Sequence, residues 1–174
     1  MVWTAAFVPP EPPVTSRVRL VPLGPDVAEA DYVAIMGSRE RLRHELGWKG
    51  WPPDGFTLED NRSDLAEHHA EFVRREAYAY SVLDLSGSVV GCVYLEPWDP
   101  GAQLAFWVVD AEVPTGLERH LLQTMADWLT MWPLSEVRVP LREANVRGVA
   151  TAQAMAMKRV AGPPGHISFR LVGA

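Results

Sequence analysis

The alternation of polar and apolar positions along the chain predicts six β-strands. They occupy residues 17–21, 78–85, 89–96, 103–109, 137–141 and 166–171. The short turn at 86–88 joins the second and third strands as a hairpin. The fourth strand is apolar almost throughout, which is typical of a central strand covered on both faces. In the fifth strand, Pro140 indicates a bulge or a sheet edge.

Apolar residues that recur every three to four positions predict five helices between these strands. The helices cover residues 26–36, 38–46, a long segment that begins after Thr57, 117–132 and 144–160. We expect Ser38 to cap the second helix, and Thr57 with Asp60 to form a capping box at the start of the third. The predicted buried stripe of the third helix consists of Leu58, Leu65, His69, Phe72 and Val73.

The order of these elements predicts one domain with a short N-terminal extension. Residues 9–13 are nearly all proline, so residues 1–16 are interpreted as an extended arm and residues 17–174 as a single domain. The loop at 47–55 is rich in Gly and Pro and contains Trp48 and Trp51, so we expect it to cover another surface. Three antiparallel strands followed by strand–helix–strand–helix–strand predict an α+β fold with a mixed sheet.

The amino-acid composition argues against some classes of binding partner. The 174 residues carry a formal net charge of −6, whereas a nucleic-acid-binding protein needs a basic surface. An acidic surface suits a cationic or neutral small molecule better. The single cysteine, Cys92, fits a reducing cytoplasm, and no apolar run is long enough to span a bilayer. We therefore expect a cytoplasmic protein without a nucleic-acid or membrane partner.

Several segments resemble the GNAT superfamily of N-acetyltransferases, in particular its GNAT-like proteins from bacteria and haloarchaea. The matching text lies at residues 56–61, 80–83, 91–95 and 116–118, within an element order that resembles the family over about residues 17–160. The resemblance implies a twisted, mostly antiparallel sheet with helices on both faces and with strands four and five splayed apart. It also implies acetyl-CoA as co-substrate in that gap, with its pyrophosphate at the start of the helix after strand four. No metal is implied.

The resemblance assigns cofactor-binding roles to one group of residues: Trp107, Val108, Val109, Thr115, Gly116, Leu117 and Asn145. The family pattern at the helix start is Gln/Arg-x-x-Gly-x-Gly/Ala, and only Gly116 matches it. Val113 replaces the basic or amide residue, Pro114 removes an N–H donor, and Glu118 replaces a small residue. Thr115 and Glu118 also have the spacing of a capping box, which would occupy the amides that phosphates need.

Acetyl transfer to an amine requires a base and donors for the developing oxyanion. Glu96 ends the third strand beside the expected gap and is the first candidate for the base, with Asp99 next; Tyr94 lies on the same sheet face. A bulge at Val108 and Val109 would free their amides as donors. The tyrosine that the family often places in the last helix is absent, so either Tyr94 or water protonates the leaving thiolate. Glu96 has a second interpretation as an ordinary solvated carboxylate.

The remaining candidates have ordinary structural interpretations. His68 and His69 point about 100° apart on a helix and do not form a metal site together, and we interpret His69 as a buried, hydrogen-bonded residue. Cys92 is interpreted as a small apolar residue, and Asn145 as a cofactor ligand or a helix cap. Trp48, Trp51, Trp98 and Trp107 either wall an acceptor pocket, pack under the arm or form a subunit interface.

Two functions remain open at this point. The first is an acetyl-CoA-dependent N-acetyltransferase that acetylates an amine of a small molecule or peptide by direct attack in a ternary complex. The second is a non-catalytic GNAT-like protein, ligand-binding or homodimeric, that lacks the pyrophosphate site. The position of the Glu118 carboxylate is expected to distinguish them.

Overall fold

The computed structural model describes Trp3 and residues 7–173. The strands are β1 (Val18–Pro22), β2 (Tyr78–Asp84), β3 (Val89–Trp98), β4 (Gly101–Val108), β5 (Glu136–Arg142), β6 (Lys158–Val160) and β7 (His166–Gly173). The helices are α1 (Ala28–Gly37), α2 (Arg39–Glu45), α3 (Leu58–Arg74), α4 (Leu117–Leu129) and α5 (Val146–Ala154). Short 3-10 segments lie at Pro25–Val27, Trp48–Gly50 and Asp110–Thr115. None of the described helices is both long enough and apolar enough to cross a membrane.

The strands form one seven-stranded sheet in the order β1-β2-β3-β4-β5-β7-β6. All neighbouring strands are antiparallel except β4 and β5, which run parallel and pair only at Ala102↔Val137 and Gln103↔Arg138. A side chain at Gly101 would collide with the Glu136 carbonyl oxygen, so this glycine permits the close approach of the two strands. Beyond this short contact the strands separate, which confirms the predicted mixed sheet with splayed fourth and fifth strands.

Helices cover both faces of the sheet, as predicted. On one face α4 buries Leu121, Met125 and Trp128 against a core that includes Leu95 and Leu104. On the other face α1 lies over β3 and α3 over β2, and the two helices enclose a second apolar cluster. Burial of each large apolar side chain stabilises the fold by about 1.5–3 kcal/mol, so both clusters hold their helices on the sheet.

The third helix buries only part of the predicted stripe: Leu65 is buried, and Leu58 and Phe72 are half-buried against the two cores. His69 is exposed, and Val73 is 65% exposed, so the interpretation of His69 as a buried histidine is wrong. Asn61 and His68 face the molecule as well. Polar residues at these two positions obscured the helical period in the sequence. The capping box of Thr57 and Asp60 is confirmed.

The predicted helix at 144–160 is too long. The helix α5 ends at Ala154, and Ala156 adopts a left-handed backbone conformation with φ of 56°. Residues 158–160 then form β6, which pairs with β7. A residue in this conformation is a common helix stop because it turns the chain away from the helix axis. The bulge indicated by Pro140 lies nearby, between Val137 and Arg138, and β5 is an interior strand.

The described part of the arm packs onto the α4 face. The Trp3 side chain is 2% exposed, lies 5.2 Å from the Tyr78 ring and 6.2 Å from the Trp132 ring, and donates from Nε1 to the Arg75 carbonyl oxygen at 2.8 Å. Phe7 contacts the same two rings. The interpretation that Trp48 and Trp51 pack under the arm is therefore wrong.

Candidate active site

A cavity of about 500 Å³ enters the sheet between β4 and β5. Residues 103–106 of β4 and 139–142 of β5 line its two sides, so the strands leave open space along this stretch. The cavity continues over Tyr94 and Glu96 of β3 to side chains of α1 and α3. One continuous space thus connects the gap in the sheet with the helices above it.

The backbone of β4 presents every second residue to the gap. The Val109 N–H donates to the Val90 carbonyl oxygen at 2.9 Å, toward β3. Successive residues of a strand direct their backbone groups to opposite sides, so Leu104, Phe106 and Val108 face β5. The register from Gly91↔Val108 to Trp98↔Gly101 has no shift. The predicted bulge is therefore wrong, and so is a free Val109 amide, whereas the Val108 amide faces the gap.

No side chain caps the start of α4 among the described residues. Gly116 is the N-cap, with φ of 75°. Thr115 Oγ1 donates to the Glu112 carbonyl oxygen at 2.8 Å and accepts from Arg17 Nη2 at 2.7 Å. The predicted capping box of Thr115 and Glu118 is wrong, because both side chains have other partners. The first-turn amides of α4 keep the positive end of the helix dipole without a side-chain acceptor.

Four side chains form an ionic bridge across the outer end of the gap: Arg41, Glu45, Glu118 and Arg147. The Glu118 carboxylate is buried and pairs with Arg147, which also donates to both Glu45 oxygens at 2.7 and 2.9 Å. Arg41 pairs with Glu45 at 2.7 Å and with Asp110 at 2.6 Å, and it donates to the Val108 carbonyl oxygen.

The position of Glu118 matches neither of the two expected alternatives, a cap on its own helix or a side chain in solvent. Arg147 lies 29 residues away from Glu118 in the chain and 102 from Glu45, so no local pattern in the sequence indicates the ionic bridge.

Asn145 is a helix cap that also lines the cavity. Its Oδ1 accepts from the Gly148 N–H at 2.8 Å, and the residue is buried at the start of α5. The capping interpretation is confirmed. The cofactor-binding role remains a prediction, for which the side chain is suitably placed beside the gap.

Tyr94 is held from behind by Trp107. The Trp107 Nε1–H donates to the Tyr94 hydroxyl oxygen at 3.2 Å, while its own ring is buried beneath the cavity lining. Trp107 thus positions Tyr94, and its side chain is not placed to contact a cofactor. Burial raises the pKa of the Tyr94 phenol well above its ordinary value, so the hydroxyl keeps its proton at neutral pH.

Glu96 lies at the rim of the cavity next to the paired ends of β4 and β5. Its Oε2 accepts from Gln103 Nε2 at 2.6 Å, and Gln103 Oε1 accepts in turn from Arg138 Nη2 at 3.3 Å. The Arg138 guanidinium lies 3.7 Å from the centre of the Trp98 ring. Glu96 is exposed, which allows exchange of protons with solvent. Asp99 does not line the cavity.

The far end of the cavity contains polar residues that the sequence analysis missed. Asp31 of α1 is 2% exposed, and its Oδ2 accepts from Asn61 Nδ2 of α3 at 3.0 Å. Its Oδ1 is buried without a hydrogen-bond partner among the described residues. Burial raises the pKa of Asp31 to about 6. Asp64 and His68 line the same end, and their helical spacing with Asn61 was the available signal.

Aromatic rings form the wall of this end. Trp48 lies 5.4 Å from Tyr94 and 5.6 Å from Trp51, and His68 lies 5.3 Å from Tyr94, all between ring centres. The tryptophan loop therefore covers the cavity, in agreement with the expectation that it covers another surface.

The other candidate groups lie outside this chemistry. Cys92 is fully buried, and its thiol donates to the Tyr80 carbonyl oxygen at 3.2 Å. Burial raises the pKa of this thiol, which disfavours the nucleophilic thiolate. Among the described residues no three His, Cys, Asp or Glu side chains are grouped closely enough to hold a metal ion.

Comparison with known proteins relates this geometry to solved structures. No protein-family model and no curated protein matches the sequence. The ribosomal L7/L12 alpha-N-protein acetyltransferase RimL in complex with coenzyme A superposes with a TM-score of 0.75 at 15% identity, over 91% of this chain and 94% of that one. The ribosomal-protein-S5-alanine acetyltransferase from Vibrio fischeri gives 0.72 at 14% identity, over 91% and 94%.

A third similar structure is the microcin C7 self-immunity acetyltransferase MccE in complex with acetyl-CoA and AMP. It superposes with a TM-score of 0.73 at 12% identity and covers 90% of this chain and 92% of that one. These likenesses extend over nearly the whole length of each chain. The chain therefore has the same overall fold as these acetyltransferases.

Proposed function

We propose that this protein is an acetyl-CoA-dependent N-acetyltransferase that acetylates an amine of a small molecule or peptide. The observation that carries the proposal is the single cavity that runs from the gap between β4 and β5 to the side chains of α1 and α3. A thioester in the gap and an amine over β3 would meet beside Tyr94 and Glu96. The GNAT fold of the chain supports the same activity.

The residues around the gap fit the acetyl-CoA tail. The outward-facing backbone of Phe106 and Val108 can pair with the amides of an extended pantetheine chain, as a strand edge does. The first-turn amides of α4, after Thr115, Gly116 and Leu117, can hold phosphate oxygens because no side chain caps them. Asn145 adds a polar group between these two places. Acetyl-CoA would supply the activated acetyl group.

The chemistry that we propose is direct attack in a ternary complex. The substrate ammonium loses a proton to Glu96, which passes it to solvent. The neutral amine nitrogen forms a bond to the thioester carbonyl carbon, and the bond from that carbon to sulfur breaks. The nitrogen then loses a second proton to solvent, and the thiolate takes up one proton from solvent. The products are therefore an amide and a thiol.

Tyr94 serves this reaction as a hydrogen-bond donor rather than as an acid. Because the pKa of this phenol is raised well above its usual value, transfer of its proton to a thiolate is thermodynamically unfavourable. The same phenol stays neutral and can donate a hydrogen bond to the oxygen on which charge develops. We therefore assign thiolate protonation to water and charge stabilisation to Tyr94.

The ionic bridge favours a second candidate, a non-catalytic GNAT-like protein that binds another ligand or forms a homodimer. Two guanidinium groups face three carboxylates there, those of Glu45, Asp110 and Glu118. This surplus of negative charge repels a diphosphate at the start of α4. Acetyl-CoA binding therefore requires Arg147 or Arg41 to turn from its carboxylate partners toward the phosphates.

The test is acetyl-CoA binding by calorimetry, together with thiol release in the presence of a panel of amines. Ala105 is half-buried and lines the cavity, so Ala105→Trp fills the meeting point of thioester and amine. We expect this variant to lose binding or turnover by about tenfold or more. Ala66 is exposed on α3, and Ala66→Trp is the matched control that stays active. A wild-type chain that neither binds acetyl-CoA nor releases thiol with any amine would support the second candidate.

A further inference from the structure

Three carboxylates line the cavity without a salt bridge to Lys or Arg in the described part of the chain: Asp31, Asp64 and Glu96. Asp31 and Asp64 have His68 as their nearest group able to carry a positive charge. The side-chain hydrogen bonds that two of the three carboxylates accept come from neutral amides, Asn61 for Asp31 and Gln103 for Glu96. A fourth, Glu45, is already neutralised by two guanidinium groups. Asp31, Asp64 and Glu96, which lie nearest to the proposed place of the acceptor, therefore favour a positively charged ligand.

Asp31 gives the strongest indication of a missing ligand. It is buried, it lines the cavity, and its Oδ1 has no hydrogen-bond partner among the described residues. Nearly all buried polar atoms in folded proteins are satisfied, and a buried charge without a partner is costly. An ammonium at this end of the cavity would supply the positive charge that balances Asp31.

The aromatic wall at this end suits the same ligand. Trp48 and Trp51 are half-buried and line the cavity beside Tyr94. Ring faces attract cations and also provide apolar contact for an alkyl chain. An organic ammonium with an aliphatic body matches this wall, whereas a small hydrated metal ion does not.

The unpaired carboxylates lie at two separate places along the cavity. Asp31 and Asp64 lie on α1 and α3, next to His68, whose ring contacts Tyr94. Glu96 lies two residues beyond Tyr94 on the same strand face, which corresponds to a separation of about 7 Å along β3. A ligand that satisfies both places needs two amine groups at the ends of an aliphatic chain.

We infer that the acceptor is an aliphatic diamine, one end of which is held as an ammonium by Asp31 and Asp64 against the tryptophan wall. The other end lies at Glu96, facing the gap between β4 and β5. The acetylation of that end rests on the proposed function, whereas the cation site itself depends only on the cavity. Trp48, Trp51, Asp31 and Asp64 are accordingly the residues that determine specificity.

The experiment is calorimetric titration at pH 7.5, without acetyl-CoA, of α,ω-diaminopentane and of pentylamine, which differ only in the second amine. The wild-type chain is expected to bind the diamine at least about tenfold more tightly. Asp31→Asn and Asp64→Asn should each remove most of this preference, because only one of the two amine groups of the diamine then keeps its carboxylate partner. Asp127, an exposed carboxylate on α4, gives the matched control Asp127→Asn, which should keep the preference.

Two results would overturn the inference. One is equal affinity of the wild-type chain for the two amines, and the other is an intact preference in both Asp31→Asn and Asp64→Asn. Asp64 is exposed, so Asp64→Asn retains the test if the change at buried Asp31 impairs folding.

A parallel titration with acetyl-CoA separates this inference from the proposed function. If acetyl-CoA binds but the diamine is not preferred, the diamine inference fails and the proposed function stands. If the diamine is preferred but acetyl-CoA does not bind, the cation site is supported and its acetylation is refuted.

Discussion

Asp31 lowers the stability of the folded chain, and packing alone does not explain its presence in the interior. Its carboxylate is 2% exposed and receives one side-chain hydrogen bond, from Asn61. Loss of hydration is the largest influence on this group and raises its pKa from 3.8 to about 6. A carboxylate with a raised pKa destabilises the folded chain once it ionises. Such a residue is typical of a ligand site, where residues that serve function often lower the stability of the folded chain.

The stability cost of Asp31 is expected to depend on pH. The penalty is absent at very low pH, grows as pH rises through about 4 to 6, and is complete above the folded pKa. A shift of about two units corresponds to about 3 kcal/mol. Asp31→Asn should therefore stabilise the chain by up to about 3 kcal/mol at pH 7.5 but by only about 1 kcal/mol at pH 4.5. Urea unfolding at the two pH values measures this difference.

The groups that face Asp31 do not reverse the sign of this effect. They come from α3 and β3 and comprise Asn61, Asp64, His68, Cys92 and Tyr94. The exposed control Asp127→Asn should change the free energy of unfolding by less than about 0.5 kcal/mol at both pH values. A gain from Asp31→Asn that is equal at both pH values, or a loss at pH 7.5, would contradict the buried ionised carboxylate.

At the scale of elements, the start of α4 differs from the phosphate site that the family resemblance implies. Gly116 retains the left-handed conformation, and the first-turn amides have no side-chain cap. The change that matters is therefore the buried Glu118 carboxylate, held by Arg147 from α5.

Glu118→Gln should strengthen acetyl-CoA binding. A carboxylate about 4 Å from a phosphate oxygen disfavours binding by about 1–4 kcal/mol. Removal of its charge should therefore strengthen acetyl-CoA binding by about fivefold or more. Arg147 keeps its pairing with Glu45 in this variant and gains freedom to approach the phosphates. Calorimetric dissociation constants measure the change. Glu11→Gln, on the exposed arm, is the control and should not alter affinity, and an unchanged or weaker affinity of Glu118→Gln would reject Glu118 as the obstacle.

Two segments with the spacing of a capping box show how far the start of a helix can be predicted from the sequence. The capping-box spacing at Thr57 and Asp60 is confirmed, because nothing else competes for those side chains. The same spacing at Thr115 and Glu118 fails, since Arg17 binds Thr115 from 98 residues away and Arg147 binds Glu118. Local patterns predict local hydrogen bonds only where no distant partner intervenes.

At the scale of the whole molecule, periodicity located six of the seven strands and most of the helices, but it missed β6. Alternation along strands and the buried face of α4 are local properties, and they predicted the mixed sheet, whereas the splayed strands were implied by the family resemblance. The candidate site was predicted only in part. Tyr94 and Glu96 lie on a strand that the pattern located, and both line the cavity.

The rest of the site depends on contacts between distant segments. Asp31 and Asn61 lie 30 residues apart and meet because α1 packs against α3. In the sequence, carboxylates on these helices have the same pattern as those of an ordinary solvated face. Burial of a charge is a tertiary property, so the acceptor end of the cavity was visible only in the folded chain.

The most direct test of the account is an NMR titration of the isotope-labelled chain with acetyl-CoA, in which the backbone amide signals are followed residue by residue. The account predicts saturable shifts concentrated at Phe106, Val108 and the first turn of α4 beyond Gly116, with further shifts along residues 139–142 of β5. An absence of shifts at millimolar acetyl-CoA, or shifts confined to the surface away from the gap between β4 and β5, would contradict it.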